Sequence, residues 1–202
     1  MNDLLANYEQ YPNTWDEMFD DSGKVRTIYS HFGKFLSEAK LDSLNQMKEF
    51  SNQFFKNQGV TFTVYHDNKG VERIFPFDII PRIINSNEWE IIEKGIIQRI
   101  TALNLFLKDV YHEKFIIKDE VIPASLLINN DCYLRQMMRL EVPKNIYTHI
   151  SGVDLIRDKN GELFVLEDNL RTPSGVSYML ENREITRRLY PNLMPIHKVQ
   201  PV

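Results

Sequence analysis

Between Lys24 and Ala39 the apolar residues Val25, Ile28, Tyr29, Phe32, Phe35 and Leu36 return every third or fourth position, and Leu41, Leu44, Met47, Phe50, Phe54 and Phe55 continue the pattern to Lys56. That spacing lines one face of an α-helix and predicts two paired amphipathic helices, the second stopped by Gly59. Thr61–Tyr65 and Val71–Phe75 are β-branched and aromatic, with turn chemistry at Asp67-Asn68-Lys69-Gly70 between them, which predicts a β-hairpin. Asn85 can cap a helix and Glu88, three positions on, can close the box. The stripe Trp89, Ile92, Ile96, Ile100, Leu103, Phe106 and Val110 then predicts a long core helix ending near His112 or Glu113. Residues 114–145 hold short apolar pieces without a period, so no element is assigned there. A last helix is expected over Tyr178–Tyr190, and the whole pattern is that of an α+β fold.

The stretch from Ile146 to Asn169 carries the most chemistry. Asn160-Gly161 between two apolar runs is a strong hairpin signal. With these two residues at the centre of a type I′ turn, Lys159 faces Glu162, Asp154 faces Glu167 and Gly152 faces Asn169. Side chains alternate across a strand, so Asp154, Glu167 and Asn169 then share one face, and Val153, Leu155, Phe164 and Leu166 form the opposite, core face. A three-residue loop at 159–161 would shift that register. Two carboxylates directly across a strand pair repel unless a cation, a proton or water screens them. Magnesium prefers oxygen donors and takes one or two carboxylates with substrate phosphates, a set that the amide oxygen of Asn169 could complete. Arg171 offers a guanidinium suited to phosphate or carboxylate. The plain alternative is a solvated polar strand face.

Composition narrows the classes. At 202 residues and 23.9 kDa, with 43% hydrophobic and 26% charged residues, the chain is of ordinary globular type and long enough for one large or two small lobes. The expected division is an acidic irregular segment over 1–22, a helical and hairpin region over 23–145, and the carboxylate hairpin with its following helix over 146–202. No apolar run approaches the roughly 20 residues of a membrane helix, and Met1-Asn2-Asp3-Leu4-Leu5 lacks the basic flank of a signal peptide, so a cytoplasmic location without a membrane partner is expected. The net charge of −4 and the lack of a long basic run argue against nucleic-acid binding. Residues 1–21 hold six carboxylates and no Lys or Arg, so the remainder is mildly basic and is the part to search for a phosphate site. The single cysteine, Cys132, excludes a multi-cysteine zinc site and reads as a small buried residue. The five histidines form no H-x-H or H-E-x-x-H motif; His149 reads as a packed residue pointing away from Asp154. Arg135 and Arg139 could reach a carboxylate substrate, although a solvated face is the simpler reading.

Gly152–Asn169, with Asp154 and Glu167 separated by twelve residues and Asn169 two further on, resembles the metal-binding hairpin of the ATP-grasp ligases. The following Leu170-Arg171-Thr172-Pro173-Ser174-Gly175-Val176-Ser177-Tyr178 resembles one branch of them, the circularly permuted ATP-grasp proteins of bacteria. So do Trp15-Asp16-Glu17-Met18-Phe19, Arg73–Arg82, Tyr147-Thr148-His149-Ile150 and Ser177–Arg183, so the resemblance spans nearly the whole chain. It implies that Asp154, Glu167 and Asn169 hold Mg2+ bridging ATP phosphates, and that Arg171 steadies the transferred phosphoryl group or an acyl phosphate. Ser174, Gly175 and Ser177 would form a small-residue loop touching substrate or phosphate, though Pro-Ser-Gly is also common turn composition. The implied activity is Mg-ATP-dependent joining of a small or peptide-like carboxylate to an amine through an acyl phosphate. In that branch the lobe holding adenine follows the metal motif, so a nucleotide-binding lobe is expected from a continuation of the chain or from a partner chain. The alternative is a non-catalytic module of the same fold, or one half of a split ligase. No P-loop and no G-x-G-x-x-G offers another nucleotide site.

Overall fold

The computed structural model describes residues 4, 5, 7–66, 69–194, 199 and 200. They form two compact units: Met1–Ile84 with Arg157–Glu162 and Ser174–Val202, and Asn85–Ile156 with Leu163–Pro173.

In the first unit, a 3-10 turn at Thr27–Tyr29 leads into α1 (Ser30–Glu38) and α2 (Leu41–Gln58). The apolar faces predicted for both are the ones buried, through Phe32 and Leu36 on α1 and Phe54 and Phe55 on α2. Gly33 lets the preceding chain approach closely, since a β-carbon there would lie 2.9 Å from a Val25 methyl. Gly59 ends α2 in the left-handed conformation, at φ 68°, with its amide on the Lys56 carbonyl, as a glycine stop requires. β1 (Thr61–His66) and β2 (Lys69–Ile74) pair antiparallel with Thr61 opposite Ile74 and His66 opposite Lys69. The predicted turn at Asp67 and Asn68 lies outside the described residues.

A later helix, Val176–Leu189, returns to α2. Phe54, Phe55, Phe77 and Ile185 form one buried cluster, and Tyr29, Phe32 and Tyr190 another. The two buried tyrosines satisfy their polar ends through backbone partners: the Tyr190 hydroxyl donates to the Ile79 carbonyl at 2.7 Å, and the Tyr29 oxygen accepts from the Ile83 amide at 2.9 Å. Burial holds both phenols above the usual tyrosine range, so each stays a neutral hydroxyl.

The second unit is built on α3 (Ser86–Tyr111), followed by the short helices α4 (Phe115–Lys118) and α5 (Ser125–Ile128). The Asn85 side chain accepts from the Glu88 amide at 2.9 Å, so α3 starts where the sequence places its cap. Ile92 and Val110 of the predicted stripe are buried, together with Tyr111, whereas Trp89 is 41% exposed. From Glu113 to Ile150 no residue is buried, and Lys114, Glu120, Arg139, Lys144 and Asn145 adopt left-handed backbone conformations that L-residues with a β-carbon rarely take. Cys132 lies in this stretch and is exposed, contrary to the expectation of a small buried residue. β3 (Gly152–Arg157) and β4 (Leu163–Asn169) pair as a two-stranded sheet, and the helix Val176–Leu189 is α6. No described helix is long and apolar enough to cross a membrane.

Phe55 is fully buried, so Phe55→Ala should lower the stability of the first unit by about 3–5 kcal/mol. Phe50→Ala, at a half-exposed position of the same helix, should change it by less than about 1 kcal/mol. The urea midpoints of the two variants check this.

Candidate functional site

The β3–β4 turn departs from the two-residue expectation. Gly161 has φ 84°, whereas Asn160 is not among the residues with positive φ, and a type I′ turn needs both. The Gly161 amide donates to the Asp158 carbonyl at 3.1 Å and the Asp158 amide to the Glu162 carbonyl at 2.9 Å. This is a three-residue loop, Lys159-Asn160-Gly161, closed by the Asp158–Glu162 pair. The Asp158 carboxylate braces it, accepting from the amides of Asn160 and Glu162 at 2.9 Å each. Burial pushes that carboxyl up, but these amides outweigh it and hold it below the usual aspartate range.

At the open end of the hairpin the pairing is different. A β-carbon on Gly152 would lie 3.5 Å from the Asn169 β-carbon, which places these two residues opposite each other. Between Asp158–Glu162 and Gly152–Asn169, β4 therefore carries one residue more than β3. The exposure pattern locates the excess: Leu163 to Leu166 alternates half-buried and exposed, then Leu166 and Glu167 are both exposed before alternation resumes. A β-bulge at Leu166-Glu167, with both residues opposite Asp154, accounts for all three observations.

Asp154, Glu167 and Asn169 consequently lie on the exposed side of the hairpin, and the Asn169 amide nitrogen is 3.1 Å from a Glu167 carboxylate oxygen. Phe164 and Leu166, expected on the core face, are instead 49% and 63% exposed beside them, with Ile156. The three-residue loop is the reason, since a one-residue shift moves every side chain of the strand to the other face. Among the described residues no group of three His, Cys, Asp or Glu could by itself hold a metal. The candidate set has two carboxylates, and its third donor is the Asn169 amide. An all-oxygen set of this kind suits magnesium in its chemistry.

Arg171 is exposed in the bend after β4 and belongs to the same unit as the carboxylates. Ser174, Gly175 and Ser177 belong to the first unit, where Gly175, at φ 98°, precedes α6 and Ser177 lies in its first turn. His149 precedes β3 and is exposed rather than packed. Two open depressions in the first unit, beside Lys48 and Phe77 and beside Met47 and Phe50, contain none of the candidates.

Two residues that sequence reading passes over hold this region in place. Arg99 on α3 grips both Asp168 oxygens at 2.6–2.9 Å, which fixes the inward side of β4. The Asn104 side chain accepts from the amides of Tyr147 and Thr148 at 2.8 and 3.2 Å and donates to the Thr148 hydroxyl at 3.1 Å, fastening the approach to β3 onto the same helix. Spacing along α3 gives no sign of either, because a polar residue beside a helix stripe is ordinary.

A family model described as circularly permuted ATP-grasp type 2 matches residues 81–202. This chain belongs to that family. A protein of Synechocystis, described as uncharacterised, is 43% identical over 94% of this chain and 40% of its own length. One from Mycobacterium tuberculosis, also described as uncharacterised, is 41% identical over 95% of this chain and 34% of its own. A Frankia alni protein provisionally named a glutamate–cysteine ligase is 35% identical over 95% of this chain and 22% of its own. The ATP-grasp chain described here therefore spans less than half the length of these relatives.

The paired Arg99 guanidinium holds the Asp168 carboxyl below its usual range, although burial acts to raise it. A depressed carboxyl contributes its stabilisation fully above the ordinary value of about 3.9 and loses it as pH falls through the lowered one. Titration followed by NMR should show Asp168 protonating below the ordinary aspartate range in the wild type. In Arg99→Ala it should return to that range.

Proposed function

We propose that this chain supplies the metal-binding hairpin of a Mg-ATP-dependent carboxylate–amine ligase. What supports the reading most is the outward side of the hairpin, where Asp154, Glu167 and Asn169 stand together inside the segment matched by the ATP-grasp family model. Asp154, Glu167 and Asn169 would hold Mg2+, which when bound neutralises phosphate charge. Arg171 would steady the phosphoryl group during transfer, a reaction governed more by positioned positive charge than by covalent help from the protein. Ser174, Gly175 and Ser177, at the start of the fourteen-residue α6, would add hydroxyl and amide donors for a phosphate or substrate.

In the proposed reaction a substrate carboxylate oxygen attacks the γ-phosphorus of ATP and ADP leaves. The amine then attacks the carbonyl carbon of the acyl phosphate, inorganic phosphate leaves, and the amine loses a proton to solvent or a base. The substrates would be small or peptide-like, and the cytoplasm, where Mg-ATP is abundant, is the setting we assign. Adenine would be held by a further lobe, in the same polypeptide or on a partner chain. The stretch from Glu113 to Ile150, with Phe115, Val121, Leu126, Ile128 and Leu140 exposed, supports a further packing partner.

Calorimetry tests the metal hairpin. Wild-type chain should bind Mg2+, and Asp154→Asn and Glu167→Gln should each weaken it at least about tenfold while circular dichroism stays unchanged. Wild-type affinity retained in both variants would overturn the assignment. Absence of Mg2+ binding by a folded wild type would overturn it as well.

A further inference from the structure

Asn160-Gly161 locally favours a two-residue turn, yet the hairpin adopts a three-residue one. The turn belongs to the first unit, and the contacts it makes there explain the choice. Trp15 lies against Gly161, so close that a β-carbon on the glycine would be 2.6–2.8 Å from three of its ring carbons. Arg157, the last residue of β3, donates from Nη1 to the Gly161 carbonyl at 2.8 Å and from Nε to the Glu17 carboxylate at 3.1 Å, with its side chain only 13% exposed. Glu17 also lies 3.6 Å from Arg82. The other side of this clamp is built in advance: Asp16 accepts from the amides of Met18 and Phe19, and the Arg26 guanidinium sits 3.7 Å from the centre of the Trp15 ring.

We propose that Trp15, Glu17 and Arg157 are positioning residues that select the bulged register of the β3–β4 hairpin. Their grip on Gly161 closes the loop with Asp158 opposite Glu162. That closure forces the extra residue of β4 into the bulge at Leu166-Glu167. A bulge bends its strand and re-aims the side chains it carries, and here Glu167 is one of the two bulged residues. The clamp therefore sets the aim of Glu167 toward Asp154 and keeps Phe164 and Leu166 on the outward side. Released from it, the two-residue turn would bring Lys159 opposite Glu162, remove the bulge and turn Phe164 and Leu166 inward. The register is a property of the hairpin itself; its consequence for metal affinity rests on the proposed function.

Cross-strand NOEs in the full 202-residue chain decide the register, and Mn2+ titration reads the metal consequence. Wild type should show Asp158 opposite Glu162. Trp15→Ala should lose that pairing in favour of Lys159 opposite Glu162 and bind Mn2+ about tenfold more weakly, with Trp15→Phe restoring both. Retention of the bulged NOEs in Trp15→Ala would overturn the proposal. If Trp15→Ala fails to fold, Arg157→Lys, which keeps the charge but loses the two-directional fork, should show the same shift; its retention of the wild-type NOEs would equally overturn it. Equal Mn2+ binding by wild type and Asp154→Asn would sink the metal reading, while the NOEs would still decide the register.

Discussion

The three-residue loop closed between Asp158 and Glu162 is the constraint from which the hairpin follows. With Gly161 alone left-handed and Asp158 paired to Glu162, the loop has three residues, and that loop decides which β4 side chains face inward. Leu163 and Val165 turn toward the protein with Leu155, while Phe164 and Leu166 turn out. The additional residue has to go somewhere, because Gly152 still meets Asn169 at the far end. It is absorbed where exposed carboxylate-bearing strand can bend without opening a core, next to Glu167. A substitution at Gly161 would meet the strained φ and the Trp15 ring together.

The elements set by periodicity are legible in the chain, and the ones set by competition are not. The α2 stop at Gly59 and the α3 start at Asn85 are local events, decided by residues within one turn of the helix. The β3–β4 register is different: Asn160-Gly161 favours one turn, and Trp15 and Glu17, far back in the chain, favour another. Local propensity cannot report a contact of that separation. Alternation counted from a two-residue turn accordingly puts Phe164 and Leu166 in the core, although they lie outside it. The same count puts Asp154, Glu167 and Asn169 on one side; the structure arrives at that side through a longer loop and a bulge.

Anchoring in the second unit relies on hydrogen bonds more than on apolar burial. Among its described residues only Ile92, Val110 and Tyr111 are buried apolar ones, yet α3 holds Asp168 through Arg99 and residues 147–148 through Asn104. These contacts grip the chain immediately before β3 and the inward side of β4, so the strand pair is held along its flanks. The polar rows they use are the ones that pattern reading leaves unassigned. The same scarcity of apolar partners accounts for exposed Cys132 and His149, whose expected burial presumes a core that residues 113–150 do not make.

The division of labour within Glu167-Asp168-Asn169 follows from the same geometry. Successive strand residues point to opposite sides, so Asp168 cannot join its neighbours and instead meets Arg99. Its charge is neutralised within the protein. Among the described residues Glu167 receives only the neutral Asn169 amide, and Asp154 stands exposed across from it. An ion pair on the inward side and two carboxylates on the outward side leave the hairpin with an electrostatic need on one side alone. Under the proposed function a divalent cation would meet that need where a buried lysine or arginine would have removed it, and Arg171, exposed beyond the strand, would leave the carboxylate oxygens free to coordinate it.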